Sequence, residues 1–179
     1  TAHTQEFQKE LFEEMKARIK EDDESVPYLY NGYFYITRFE KGKDYPIYSR
    51  KKGSLSAKEE TMFDCNELAK GKKYFNLSGL SVSVDNQFVT YAVDTVGRRI
   101  YTLRFKNLFT GEVLADKIEN TTGNSTWAND NKTIFYTKQD ANTLRSDTVL
   151  KHILGTETAL DKLIYFEKDD TFDVAVGKE

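Results

Sequence analysis

One cysteine, two histidines, two prolines and one tryptophan among 179 residues leave little material for several kinds of chemistry. Cys65 has no internal partner for a disulfide, so nothing in the chain demands an oxidising compartment, and the residue reads as a small filler. Together with His3 and His152 it falls short of the four nitrogen or sulfur ligands of a structural zinc site, so no metal is expected. No stretch approaches the roughly eighteen apolar residues that cross a bilayer, and the start does not resemble a secretory signal. A formal net charge of −3 supplies no positive field for a phosphate backbone. The doublets Lys51-Lys52 and Lys72-Lys73 read as solvated turn residues, so neither a membrane nor a nucleic acid is expected as a partner.

What the chain does have is a repeat. Asp85-Asn86-Gln87-Phe88-Val89-Thr90-Tyr91 returns 45 residues later as Asp130-Asn131-Lys132-Thr133-Ile134-Phe135-Tyr136. The same offset carries Lys106 onto Lys151, Leu108 onto Ile153, Glu112 onto Glu157 and Asp116-Lys117 onto Asp161-Lys162, predicting one register across the whole repeat. Each unit reads as a polar turn, an apolar strand, a linker, a second strand, a turn and a third strand, the pattern of a β-propeller blade. The 11 tyrosines and 12 phenylalanines suit such strands.

The expected fold is therefore mainly all-β: a partial propeller of about three four-stranded antiparallel blades behind one amphipathic helix. The helix belongs to a leading segment, residues 1–27. Phe7, Leu11, Met15 and Ile19 step by four to make its apolar stripe, with Phe12 beside them. Thr4 is placed to cap it, and the acidic run Glu21 to Glu24 with Pro27 ends it. A mainly acidic polar face favours docking on protein over lying on a lipid surface.

The propeller portion, residues 28–179, opens with a hairpin about Asn31-Gly32. A second hairpin runs from Phe39 through Lys41-Gly42-Lys43-Asp44 to Tyr45-Pro46-Ile47, with Pro46 at a strand start or an edge. Residues 54–73 read as a polar excursion closing the first blade. The second blade runs from about Leu80 to Asn120 and the third from about Ser125 to the end. Strands are expected at 87–93, 99–107, 133–138, 147–153 and 162–167, with Trp127 as a core residue of the third blade.

A propeller ring typically closes with about four to eight blades. Three leave an apolar blade face in water, which predicts self-association through unpaired faces. A start at Thr1 rather than Met fits a piece of a longer protein.

Catalytic residues are not expected in this segment. Leu77-Ser78-Gly79-Leu80-Ser81 lacks the glycine spacing of a nucleophile elbow. His152 falls on a strand, where a structural role is favoured over a general base, and His3 lies in the terminus. Glu167, Asp169 and Asp170 cluster in a turn, where such acids are usually solvated or cap backbone donors. The sequons at Asn76, Asn120, Asn124 and Asn131 fit polar turns.

Longer strings carry a resemblance. Asn31-Gly32-Tyr33-Phe34-Tyr35, Tyr45-Pro46-Ile47-Tyr48-Ser49-Arg50-Lys51 and Asp64-Cys65-Asn66-Glu67-Leu68-Ala69-Lys70-Gly71 resemble the start of the propeller in the prolyl oligopeptidase family of serine peptidases. Trp127-Ala128-Asn129-Asp130, Tyr136, Arg145, His152-Ile153-Leu154-Gly155-Thr156, Asp161-Lys162-Leu163-Ile164-Tyr165 and Glu167-Lys168-Asp169-Asp170-Thr171-Phe172 are similar to its oligopeptidase B group. The resemblance implies a cytoplasmic, cofactor-free endopeptidase that cleaves short peptides after Arg or Lys. Its α/β-hydrolase domain is capped by a seven-bladed propeller. The catalytic Ser, Asp and His of that family lie in the hydrolase domain, so none is transferred to this chain. The implied partners are the remaining blades, the hydrolase domain and, for the intact enzyme, short basic peptides. The contrasting expectation is a stand-alone interaction module built from propeller blades.

Overall fold

The structure, a computed structural model, describes residues 4–178. They form two compact units that divide between Leu68 and Ala69. The first contains helix α1 (Gln5–Ala17) and strands β1 (Asp23–Glu24), β2 (Tyr28–Tyr30), β3 (Tyr33–Phe39), β4 (Ile47–Lys52) and β5 (Glu59–Asp64). A short helix α2 (Cys65–Ala69) spans the division. The second unit contains β6 (Asn76–Val82), β7 (Phe88–Asp94), β8 (Tyr101–Asn107), β9 (Val113–Trp127), β10 (Thr133–Gln139), β11 (Ser146–Ile153) and β12 (Lys162–Phe166), with a single 3-10 turn at Thr158–Leu160.

In the first unit β1, β3, β4 and β5 pair in that order, and β2 also pairs with β3. Asn31 and Gly32 take positive φ values of 47° and 80°, the turn that an Asn-Gly hairpin demands, and bring Tyr30 opposite Tyr33. Pro46 stands just before β4, and its carbonyl accepts from the Cys65 N–H. Tyr33, Tyr35, Ile36, Ile47, Met62 and Phe63 form this unit's core. Arg50 is buried among them. Its Nε donates to Glu60 at 2.9 Å, and its guanidinium carbon lies 4.1 Å from the centre of the Tyr33 ring, a cation–π contact that makes burial of the charge tolerable.

The second unit is one antiparallel sheet in the order β12-β11-β10-β9-β8-β7-β6. Two blades share β9. Its first half is the last strand of the second blade, and its second half is the first strand of the third. Positive φ at Asn120 (58°) and Gly123 (86°) marks the change of partner, and Thr121 stands opposite both Tyr101 and Lys138. The core is Ala92, Leu103, Phe105, Ile118, Trp127, Ile134 and Tyr136. Trp127 is 2% exposed, as a core residue should be.

The mainly β fold, the blades and the leading helix agree with the sequence reading; several details differ. The excursion at 54–73 contains β5 and α2, because Met62, Phe63 and Cys65 pack inward within an otherwise polar stretch. The Ser/Thr/Asn-rich run 120–126 is strand, its backbone held by flanking strands rather than by apolar side chains. Helix α1 ends at Ala17, which leaves Ile19 beyond it, and Thr4 occupies the N-cap without a side-chain capping bond.

The repeat register also slips. Val89 faces Lys106, whereas Ile134 faces His152, so His152 rather than Lys151 is the positional counterpart of Lys106. An irregularity between Lys138 and Gln139 adds one residue to the third blade and turns the following side chains to the opposite face.

Candidate functional site

A buried polar cluster in the second unit centres on His152 of β11. The ring is fully buried and lies 5.6 Å from the Phe105 ring. Its Nδ1 is 2.6 Å from Asp161 Oδ1, and its Nε2 is 3.0 Å from Asp116 Oδ1. Both ring nitrogens thus lie within hydrogen-bonding distance of a carboxylate oxygen. Asp116 also accepts from the Gly155 N–H at 2.6 Å, and Asp161 accepts from the Tyr136 hydroxyl at 2.7 Å. Burial and then the Asp161 carboxylate raise the Tyr136 phenol far above its ordinary range, so it stays a neutral donor.

Asp116 and Asp161 are the two aspartates that the repeat carries onto one another. They come from successive blades and grip the same ring. Both nitrogens of His152 face carboxylates, one from each blade, and the cluster joins the second blade to the third. Repeat-related aspartates were visible in the sequence, but their shared partner was not, because the one-residue slip in β11 turns His152 toward them.

The other groups singled out in the sequence take structural places. Tyr165 donates to Glu167 at 2.6 Å, and Asp169 accepts from the N–H and hydroxyl of Thr171, which hold its carboxyl below the usual carboxylate range. Arg145 gathers the carbonyls of Glu167, Asp169 and Phe172 and so straps this turn to the sheet. Asp170 is exposed, and Ser78 lies in β6. Cys65 is buried, and burial pushes its thiol up to about 12, which makes it an inert filler. Lys52, Lys72 and Lys73 are exposed, whereas Lys51 stands in β4 opposite Glu59. Of the four sequon asparagines only Asn131 sits in a simple turn; Asn76 lies in β6, and Asn120 and Asn124 lie in β9. His3 lies outside the described residues.

The remaining candidate surfaces are apolar and exposed. Phe7, Leu11, Phe12 and Met15 of α1 are 65%, 42%, 59% and 55% exposed, and the helix has no buried residue. Every residue of β12 is exposed, including Leu163, Ile164, Tyr165 and Phe166. A run of this kind on an edge strand invites a partner. No described helix is long and apolar enough to cross a membrane.

Comparison with known proteins places these features. A family model described as the prolyl oligopeptidase N-terminal β-propeller domain matches residues 1–178. Dipeptidyl aminopeptidase BI of Pseudoxanthomonas mexicana is 43% identical over 94% of this chain, which covers 25% of that relative. Protease 2 of Moraxella lacunata is 34% identical over 97% of this chain, which covers 26% of it. The solved structure of oligopeptidase B from Leishmania major superposes with a TM-score of 0.87 at 32% identity, over 96% of this chain and 24% of that one. Oligopeptidase B from Trypanosoma brucei gives 0.88 at 30% identity, over 99% of this chain and 25% of that one. The chain thus spans about a quarter of the length of the proteins it matches.

Proposed function

Since the chain belongs to the prolyl oligopeptidase N-terminal β-propeller domain family, we propose that it is the non-catalytic first part of the lid of a serine oligopeptidase. The intact enzyme hydrolyses short peptides after Arg or Lys in the cytoplasm. Its active site belongs to an α/β-hydrolase domain elsewhere in the parent polypeptide. The blades gate that site by size, admitting flexible peptides and turning folded proteins away. Residues 1–27 form the leading helical segment, which docks through Phe7, Leu11 and Met15 on the hydrolase domain. Residues 28–179 form the first blades.

The observation that supports this reading most is the agreement of nearly the whole backbone with two oligopeptidase B structures at 30% identity or more. The uncovered stripe of α1 and the uncovered face of β12 fit a piece that is completed by further polypeptide. Alone, the chain is inactive and self-associates through those surfaces. A second reading, release of N-terminal dipeptides, is favoured by the 43% identity to dipeptidyl aminopeptidase BI.

The test is hydrolysis by the parent protein of N-terminally blocked Arg and Lys amide substrates beside unblocked dipeptidyl substrates. Cleavage of the blocked substrates supports the endopeptidase reading. Cleavage confined to free N-termini moves the assignment to the release of N-terminal dipeptides. A parent that hydrolyses neither leaves a stand-alone interaction module and overturns both.

A further inference from the structure

The two blades of the second unit offer the same four positions to different neighbours. On the second blade these are Ser81, Thr90, Leu103 and Ile118. Ser81 pairs with Thr90, Leu103 stands opposite Ala92, and Ile118 stands opposite Leu103. On the third blade the corresponding pairings are Thr126 with Phe135, Val149 opposite Thr137, and Tyr165 opposite Val149. Their counterparts are therefore Thr126, Phe135, Val149 and Tyr165.

Trp127 fills this place on the second blade. Its indole N–H donates to the Ser81 carbonyl at 2.9 Å, and its ring lies 6.2 Å from both Phe88 and Phe105, stacked on the first and edge-on to the second. It shares a core with Leu103 and Ile118. On the third blade the four counterparts line an open groove of about 600 Å³.

The groove's remaining wall is the segment from Asp173 to Gly177. It is held by the Val174 N–H on the Ser146 carbonyl at 2.8 Å and the Val176 N–H on Asn124 Oδ1 at 3.0 Å. Asn124 is the repeat counterpart of Gly79, and Gly79 lies against the Gly123 carbonyl. Val176 thus runs beside the third blade's first strand as Gly123 runs beside the second's. Trp127 is four residues past Gly123. The matching position, four past Val176, comes immediately after Glu179.

We propose that this groove is the receptacle for one bulky apolar side chain, of aromatic size, carried by the polypeptide that follows Glu179 in the parent protein. The occupant enters as Trp127 enters the second blade, with the Thr126 carbonyl in the place of the Ser81 acceptor. The inference rests on the lid reading only for the existence of downstream chain, for which the relatives, about four times longer, supply the length.

The test is a set of double-mutant cycles in the full-length parent. Each of the first few residues after Glu179 is replaced by Ala, alone and together with Val149→Ala, and Tm is measured. One bulky apolar position should lower Tm by about 4 °C or more, with a loss that is not additive with Val149→Ala. The same position should be additive with Phe109→Ala, which lies on a turn remote from the groove. Val149→Thr serves where Val149→Ala prevents folding. Additive losses at every position, or the absence of a bulky apolar residue there, would overturn the assignment. So would a parent dimer that Tyr165→Asp converts to monomer, since a second copy would then hold the groove. Non-additivity in a parent that does not hydrolyse Arg or Lys peptides would uphold the receptacle while removing the peptidase reading.

Discussion

The second and third blades share one repeat, yet the face that is dry on the second is open to water on the third. Ile118 on the second is 1% exposed, whereas its counterpart Tyr165 on the third is 48% exposed. The strands themselves form equally well on both blades, because their ladders are complete within each blade. What differs is the next layer. Trp127, Ile134 and Tyr136 cover the second blade, and the third presents Ile164 and Tyr165 to water. In a repeat array a blade owes its own pairing to itself and its burial to its neighbour.

The largest effect that would break this comparison is at Trp127. Trp127→Ala should cost about 3–5 kcal/mol, since a fully buried ring is removed and the Ser81 carbonyl loses its donor. An unchanged denaturant midpoint would show that the two blades are not welded by this side chain. Ile118→Ala should cost about 2–5 kcal/mol, and Tyr165→Ala in the same chain only about 0.5 kcal/mol or less. In the full-length parent the Tyr165 cost should rise toward that of Ile118, and equal costs in both proteins would contradict a cover arriving later in the sequence.

A third effect concerns how closely the blades approach. Gly79 has φ +60°, and a Cβ there would sit 1.9 Å from the Gly123 carbonyl oxygen. Gly79→Ala should therefore cost roughly 1–3 kcal/mol of overpacking beyond the strain of positive φ. Gly111→Ala is the control, because φ is +77° and nothing lies within 4 Å. Equal midpoint losses for the two variants would mean that the blade contact yields.

The smallest effect is titratable. Burial works against the charge of Asp94, but the N–H groups of Val96, Gly97 and Arg99, at 2.8–2.9 Å, outweigh it and hold the carboxyl below its ordinary 3.8. A folded value below the unfolded one contributes stability that is complete above the ordinary value and is lost as pH falls through the folded one. Asp94→Asn should thus narrow its deficit relative to the parent sequence below about pH 4. A deficit constant between pH 6 and 2.5 would exclude that linkage. The residue aligned with Asp94 by the repeat is Gln139, but the next residue, Asp140, accepts from the N–H groups of Thr143 and Asn142 and is likewise held below the ordinary carboxylate value, so both turns should carry this acid sensitivity.

Much of this was legible in the chain. Alternation and turn residues located β7, β8, β10 and β11 to within a few residues, and the 45-residue period identified the blades before any coordinate. The helix stripe was legible too, and Phe7, Leu11, Phe12 and Met15 stand exposed on α1. Less legible was the strand at 120–126, where Ser, Thr and Asn carry no apolar alternation and the conformation is imposed by neighbours on both sides. The one-residue insertion in the third blade was equally hidden. Aligned identities such as Lys106 with Lys151 pointed to one register, and the cross-strand pairing chose another.

Sequence alone determined the strands, the turns and their repetition, because these depend on interactions a few residues apart: side-chain alternation, Asn-Gly geometry and aspartates capping nearby backbone. Only the tertiary structure decided which strands became continuous, that Asp116 and Asp161 would meet on one imidazole, and which face would be dry. Those outcomes depend on groups some 9 to 46 residues apart being brought within hydrogen-bonding distance, as at His152 and Trp127. A shift of one position in register is enough to undo them, and no local propensity records it.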